Sequence, residues 1–511
     1  MYYFRSNTSS SSSTIDNETV KQVVIAGAGP AGLLLAALLL RHNEQSDSST
    51  TKYKVTIVES RVDLGQLEVD SDELKAYRSW MIGLAGHGLE ALRTIPELYQ
   101  EYVSHVGVRI KQFSFFLGAT ELKDEADGEG GENEGYIVDR NFVVASLARF
   151  IKDKHAKSPF YEARYETQLQ YVDYENHKIL TRNKKTGKEQ YLSYDLLVGA
   201  DGIRSTVREA LVKRHFDFEM DVGDIFQKFK AVHVTRPLKL NANGMSILPN
   251  VFPDMQGIAL PETDGQVNIS IGVPRNKFDS IAPELKSSDP KVVADFVKKN
   301  LKAFELDDYY DFAEKWVACR WNRTGMVHCN FYHSVPCSIV LMGDAAHATS
   351  PSIGMGMNTA LRDAQKFYEL LEKHEHSLEK VLPQFSKERV KEGNSLSDLA
   401  MHLSCLDTKH QLLDLIHMIV RQFLSGMMPS LVNPHPLRII GQPKWSLSEA
   451  YQLARDQGII QKHRQINDRI RQEFFELETG MVMKAPSSFS VWEGTVLAMI
   501  VAGLSYFYSV Y

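Results

Sequence analysis

The chain has 511 residues, 43% of them apolar and 24% charged, with a formal net charge of −6. That length allows about three domains, and the composition excludes a disulfide-stapled miniprotein, a disordered or collagen-like chain and a polytopic membrane protein. The acidic balance excludes nucleic acid as the main partner, since neutralising phosphates requires clustered Lys and Arg. Cys319, Cys329, Cys337 and Cys405 form no CxxC pair and are too few for a disulfide framework, which points to a reducing compartment.

Residues 1–20 are Ser-rich and lack the apolar core of a signal peptide, so they read as a disordered leader. Val23 to Ala26 is a short apolar run of buried-strand type, leading into Gly27-Ala28-Gly29-Pro30-Ala31-Gly32 and the helical run LLLAALLL. Strand, GxGxxG and helix in that order form a dinucleotide fingerprint. Gly27 permits a tight turn, Gly29 lets a pyrophosphate approach the backbone, and Gly32 lets helix pack on strand. The helix N-terminus adds N–H groups and a positive dipole end.

The next strand, Lys54 to Val58, ends at Glu59, whose carboxylate can accept from an adenosine ribose. The gap of 59 − 32 = 27 residues exceeds the usual spacing of about 20, and the polar run Asn43 to Lys52 reads as a surface insertion. This unit alone is compatible with FAD or NAD. No second GxGxxG follows a strand, because Gly128 to Gly135 is an acidic solvated loop.

Tyr194 to Val198 is a second buried strand, followed by Gly199-Ala200-Asp201-Gly202. Between roughly 220 and 335, runs such as Val267 to Ile271 alternate with period two and read as half-buried strands. Ser338 to Met342 is a third buried strand, entering Gly343-Asp344-Ala345-Ala346-His347, with Pro351 and Gly354-Met355-Gly356-Met357-Asn358 beyond. Asp201 and Asp344 each follow a strand end, where open α/β sheets bind ligands. The helix opening near Asn358 can stabilise negative charge through its dipole. His374-Glu375-His376 lacks a third ligand and reads as surface, so no metal is expected. Leu412, Leu413, Ile416, Ile419, Val420, Phe423 and Leu424 form an apolar helical stripe that reads as core. Gly494 to Tyr511 is uncharged over 18 residues. As a helix it spans about 27 Å, close to a bilayer core, and it reads as a terminal anchor with the body facing the cytosol.

The three motifs in this order resemble the class A flavoprotein monooxygenases over roughly residues 22–440. The resemblance implies an α/β fold. A Rossmann-type FAD-binding domain takes 21–219 and 336–384, and a substrate-domain sheet is inserted at 220–335. A C-terminal helical region follows at 385–485, then a transmembrane anchor at 492–511. It implies an FAD site of Gly27, Gly29, Ala31, Gly32, Glu59, Gly83, Asp201, Gly202, Asp344, Pro351, Gly354, Met357 and Asn358. In that family NADPH or NADH binds only transiently, without a domain of its own.

Tyr77-Arg78-Ser79, Leu84 and Gly88-Leu89-Glu90-Ala91-Leu92 resemble the kynurenine 3-monooxygenase branch. Ser60-Arg61 and Val138-Asp139-Arg140-Asn141 also match, placing Arg61 and Arg140 near the FAD, as do Phe385 to Arg389 and Ser397 to Met401. The substrate stretch departs from it: Lys111 stands where the branch has a clamping Arg, losing bidentate geometry. Leu403, Leu406 and Asp407 stand where it has polar groups. An aromatic or lipophilic small molecule therefore fits better than kynurenine, whose charges would be left unpaired.

The expected reaction is hydroxylation of an aromatic substrate through a flavin C4a-hydroperoxide, with no side chain as nucleophile. Epoxidation or reduction of a membrane-soluble isoprenoid or polyene, and flavin binding without turnover, are the alternatives. The anchor would place the protein on the mitochondrial outer membrane or the endoplasmic reticulum.

Overall fold

The computed structural model describes residues 20–479 apart from 47–50, 69–70, 72, 75–80, 126–130, 132–133, 324 and 429. The expected leader (residues 1–20, of which only Val20 is described), the Tyr77-Arg78-Ser79 match and the expected anchor at 492–511 lie outside these residues. Among the described residues no helix is long and apolar enough to cross a membrane.

Strand β1 (Val20–Ala26) leads into helix α1 (Pro30–Gln45), and β2 (Lys52–Val58) follows. β3 (Leu196–Gly199) precedes α2 (Thr206–Arg214), and β4 (Ile339–Leu341) comes last in the sheet. The order is His333–Ser334, β4, β3, β1, β2, Tyr161–Arg164, parallel except for the two-residue edge. These strands are continuous apolar runs because both faces are covered, as parallel sheets require. Val23, Ile25, Leu197 and Val340 are fully buried, and so are Leu33, Leu34, Leu35 and Leu39 of α1, which is therefore hydrophobic all round.

The second sheet is ordered Gln227–Thr235, Gln266–Pro274, Met255–Pro261, Gly244–Phe252, Gln112–Leu117, Thr120–Glu125. Its period-two pattern faces two environments. One face packs Val232, Ile269 and Ile271 on Phe312 and Trp316 of the helix Tyr309–Ala318. The other presents Phe113, Met245, Ile258 and Leu260 toward Ile110 and Ile137. The sheet thus draws two strands from residues 112–125, which sequence order had put with the first domain. Gly244–Phe252 pairs in parallel with Gln112–Leu117, a long-range register that no local pattern announces.

Helix α3 (Gly356–Lys373) packs along α1, and α4 (Leu378–His402) crosses behind it. The apolar stripe of α5 (Thr408–Met427) is not core. Ile416, Ile419 and Phe423 are 40%, 45% and 67% exposed. α5 is held instead along a polar seam, from Asp414 to Lys462 and His463 of the last helix, which turns its apolar side outward.

Candidate functional site

Three adjacent parallel strands, β1, β3 and β4, end side by side, and their carboxyl-end turns are stitched by main-chain hydrogen bonds. Gly27 N donates to Val58 O, Ala200 N to Ala26 O and Met342 N to Gly199 O, at 2.8, 2.8 and 3.0 Å. Gly27 has φ +104°, and a Cβ there would lie 2.2 Å from Ala200 O; a Cβ on Gly32 would lie 2.2 Å from Gly27 O. Glycine is required at both by volume. Gly29 and Gly202 are different, because a Cβ on either meets nothing within 4 Å. Their backbone faces open space.

That space is one cleft of about 1880 Å³ running between the two sheets. Of the expected cofactor residues, Gly29, Ala31, Gly83, Arg140, Gly202, Asp344, Pro351, Gly354 and Met357 line it. A Cβ on Gly343, at φ +59°, would lie 3.5 Å from Ala31 Cβ, so the first and third motifs meet. Gly83 and Gly354 face each other in the cleft wall: a Cβ on Gly83 would lie 3.8 Å from Gly354 O, and one on Gly354 3.9 Å from Gly83 N.

The polar motif residues mostly bind the chain itself. Glu59 accepts from Ala28 N through Oε2 and from Arg61 N through Oε1, both at 2.8 Å, and Arg61 Nε adds a contact at 3.2 Å. Burial pushes this carboxyl up, but the Arg61 guanidinium and the two N–H donors outweigh it and hold it below the usual range. Asp201 Oδ2 accepts from Thr206 N and Val207 N at 2.7 and 3.2 Å, fixing the start of α2. Burial raises its pKa against these bonds and that of Ser205. Asn358 is fully buried; its Oδ1 accepts from Ala85 N, and its Nδ2 donates to Gly83 O and Gly354 O. Glu59, Arg61, Asp201 and Asn358 are therefore positioning residues rather than parts of the cleft wall.

Sequence reading missed one cluster. Asp363, fully buried on α3, accepts from Gly343 N at 2.8 Å, from His347 Nε2 at 2.6 Å and from Arg389 Nε of α4 at 2.6 Å. Burial alone would raise its pKa, but His347 and Arg389 lower it to about 2. The signal was a charge inside the apolar stripe Ala360, Leu361, Ala364, Phe367, which a buried helix face tolerates only when paired.

Of the expected substrate residues, only Leu403 reaches the cleft. Lys111 is exposed at the rim, before the strand Gln112–Leu117 begins, so alternation no longer dictates its direction. Leu406 is buried with its N–H bonded to Asn467 Oδ1. α4 ends at His402, and helical spacing does not carry four residues further. The apolar wall of the cleft is formed instead by Met81, Phe113, Met245, Ile258 and Leu260.

Helix capping shows what the cleft is built to hold. The helices Arg140–His155, Pro290–Asn300, Tyr309–Ala318 and α2 have N-terminal N–H groups satisfied by Asp139, Asp289, Asp308 and Ser205 side chains. α1, α3, α4 and the helix Gly86–Arg93 start at Gly29, Met355, Ser377 and Ala85 with no side-chain cap, and of these starts Gly29, Met355 and Ala85 line the cleft. Unsatisfied N–H groups and the positive dipole end favour an anion there. Uncapped helix starts, backbone open at Gly29 and Gly202, and room for an extended ligand fit an FAD with its pyrophosphate over α1.

This fold and site define a protein built to bind a flavin dinucleotide. The family described as "FAD binding domain" matches residues 140–400, a little over half of the chain. The chain belongs to that family. It is 28% identical to violacein synthase of Chromobacterium violaceum over 232 residues, 45% of this chain and 53% of that protein. It is 27% identical to kynurenine 3-monooxygenase of Anopheles gambiae over 281 residues, 51% of this chain and 55% of that one. The chain thus spans about half the length of these two relatives. Among solved structures, a mutant 2-methyl-3-hydroxypyridine-5-carboxylic acid oxygenase shares the fold, with TM-score 0.56 and 18% identity, covering 75% of this chain and 90% of that one.

Proposed function

We propose that the chain is an FAD- and NAD(P)H-dependent monooxygenase hydroxylating an aromatic, largely apolar small molecule. The observation that carries this reading is the continuity of the cleft, which runs from the uncapped starts of α1 and α3 to a wall of Met81, Phe113, Met245, Ile258 and Leu260. Bound there, the flavin supplies hydride acceptance and oxygen activation. The chain's own part is to hold the phosphates on the α1 N–H groups and place the start of α3 where it stabilises negative charge. The apolar wall orients the substrate and excludes water.

Support for an aromatic substrate comes from the pyridine and kynurenine named for the relatives. NAD(P)H follows from the family pattern together with the lack of a second GxGxxG. The purified chain is expected to be yellow and to oxidise NAD(P)H faster with an apolar phenol than with kynurenine. A colourless protein with flavin-independent behaviour overturns the reading, and efficient hydroxylation of kynurenine overturns the apolar assignment.

A second reading, epoxidation or reduction of a membrane-soluble polyene, is favoured by the exposed stripe of α5, whose Met418 and Ile419 border the cleft. Labelled dioxygen separates the two, since a reductase incorporates none. We also propose that Gly494 to Tyr511 anchors the chain to a membrane. Loss of membrane association on truncation after residue 485 tests that.

A further inference from the structure

Helices α1 and α3 both start at the cleft, and their far ends meet in a second cluster. His42, in the last turn of α1, points Nδ1 at Glu372 Oε1 of α3 at 3.1 Å. His376, just past α3, brings Nε2 to 3.8 Å from the same oxygen. One ligand atom from each residue lies within 4.8 Å of the others. Both histidines are buried, at 4% and 8% exposure, while Glu372 opens the cluster to solvent.

The protonation pattern can be read from the surroundings. His42 Nε2 lies 3.0 Å from Thr51 O and 3.0 Å from Ser46 Oγ, and that hydroxyl already donates its proton to His42 O. Both partners of Nε2 accept, so Nε2 carries the proton and Nδ1 turns a lone pair toward the carboxylate. Two lone pairs at this distance repel unless a positive charge stands between them. A proton would satisfy His42 and Glu372 but leave His376 Nε2 unused. A divalent cation satisfies all three.

His376 Nδ1 sits 2.7 Å from the Tyr53 hydroxyl. Both rings therefore have an outer partner on the nitrogen facing away, as metal-ligating histidines do. A tetrahedral ion with bonds of about 2.0–2.2 Å holds its ligand atoms roughly 3.3–3.6 Å apart, and 3.1 and 3.8 Å straddle that spacing. Two helix C-termini add negative potential. The opposing charge is Lys21, whose ammonium is held by His376 O at 2.7 Å. Glu375 and His376 adopt left-handed φ of +50° and +60°, and that turn swings His376 back onto α1. His374 goes the other way, to Gln384 Oε1.

We propose that His42, Glu372 and His376 bind a divalent transition-metal ion of the Zn2+ type, completed by water, which fastens the far ends of α1 and α3. It lies at the opposite ends of these helices from the cleft and does not depend on the reaction there.

The test uses the full chain, stripped with chelator, freed of it, and titrated with Zn2+ alone by calorimetry, then with Co2+ followed by visible absorption. One ion per chain, a raised Tm and intense tetrahedral Co2+ bands are expected. E372Q alters a half-exposed side chain and should weaken Zn2+ binding by at least about 100-fold, with Y53F weakening it about 10-fold as an outer-shell loss; H374A should change nothing. Should E372Q fail to fold, H376N and the Co2+ spectrum of the unaltered chain decide. No binding by the full chain, weak octahedral bands, or undiminished binding by E372Q or H376N overturns the proposal.

Discussion

The two halves of the cleft are built on opposite plans. On the cofactor side the motif side chains turn inward and bind the chain's own backbone, as Glu59 does to Ala28 and Asn358 to Gly83 and Ala85. What is open to the cleft there is main chain at Gly29 and Gly202, with Arg140 and Asp344 as the charged motif residues that also line it. On the substrate side the backbone is sealed in a sheet, and alternate side chains, Phe113, Met245 and Ile258, face the cleft. The difference teaches that the first half is fixed by volume and backbone direction, whereas the second can be re-specified one side chain at a time.

The sharpest way to break this contrast is D363N. It leaves Arg389 buried beside a neutral amide, and loss of one partner of a buried pair costs about 3–5 kcal/mol. Urea unfolding should show it, with flavin content falling too. The Asp363 pKa is depressed to about 2. Its contribution is therefore complete above the unfolded carboxylate value of about 4 and lost as pH falls through about 2. An acid titration of wild type against D363N, with stabilities converging toward pH 2, checks that sign.

N358A comes next, at about 1–3 kcal/mol, since it strands buried backbone groups of Gly83 and Ala85. The two glycines of the first turn sharpen the comparison. G27A meets Ala200 O and a strained φ and should destabilise the fold by about 1–3 kcal/mol. G29A should leave stability within about 0.5 kcal/mol but weaken flavin binding roughly tenfold or more, about 1.4 kcal/mol; fluorescence titration of the apoprotein reads it. If G29A bound flavin normally, the pyrophosphate would not lie over α1. Mildest is F113A, expected to keep flavin and raise KM about tenfold for an apolar aromatic substrate, equivalent to about 1.4 kcal/mol.

The same contrast explains what the sequence made legible. The glycine turns and buried strands are local patterns, so the steric roles of Gly27 and Gly32 could be placed. Asp201 and Asn358 were recognised as motif members, but a motif does not say whether a carboxylate faces ligand or backbone. Asp363 and Arg389 lie 26 residues apart on different helices, and only packing joins them. Lys111 and Leu406 were placed by resemblance alone, and each lies just outside a regular element, where neither strand alternation nor helical spacing aims its side chain at the cleft. The α5 stripe misled because amphipathicity gives a helix an apolar side without supplying anything to cover it.

Gly27 and Gly32 are each forbidden a single extra carbon by a carbonyl oxygen 2.2 Å from where it would sit. A signature of that kind records steric exclusion rather than chemical recognition. Only the volume at two positions is fixed by it, so the side chains around that turn are free to change without disturbing how its backbone is presented to the cleft.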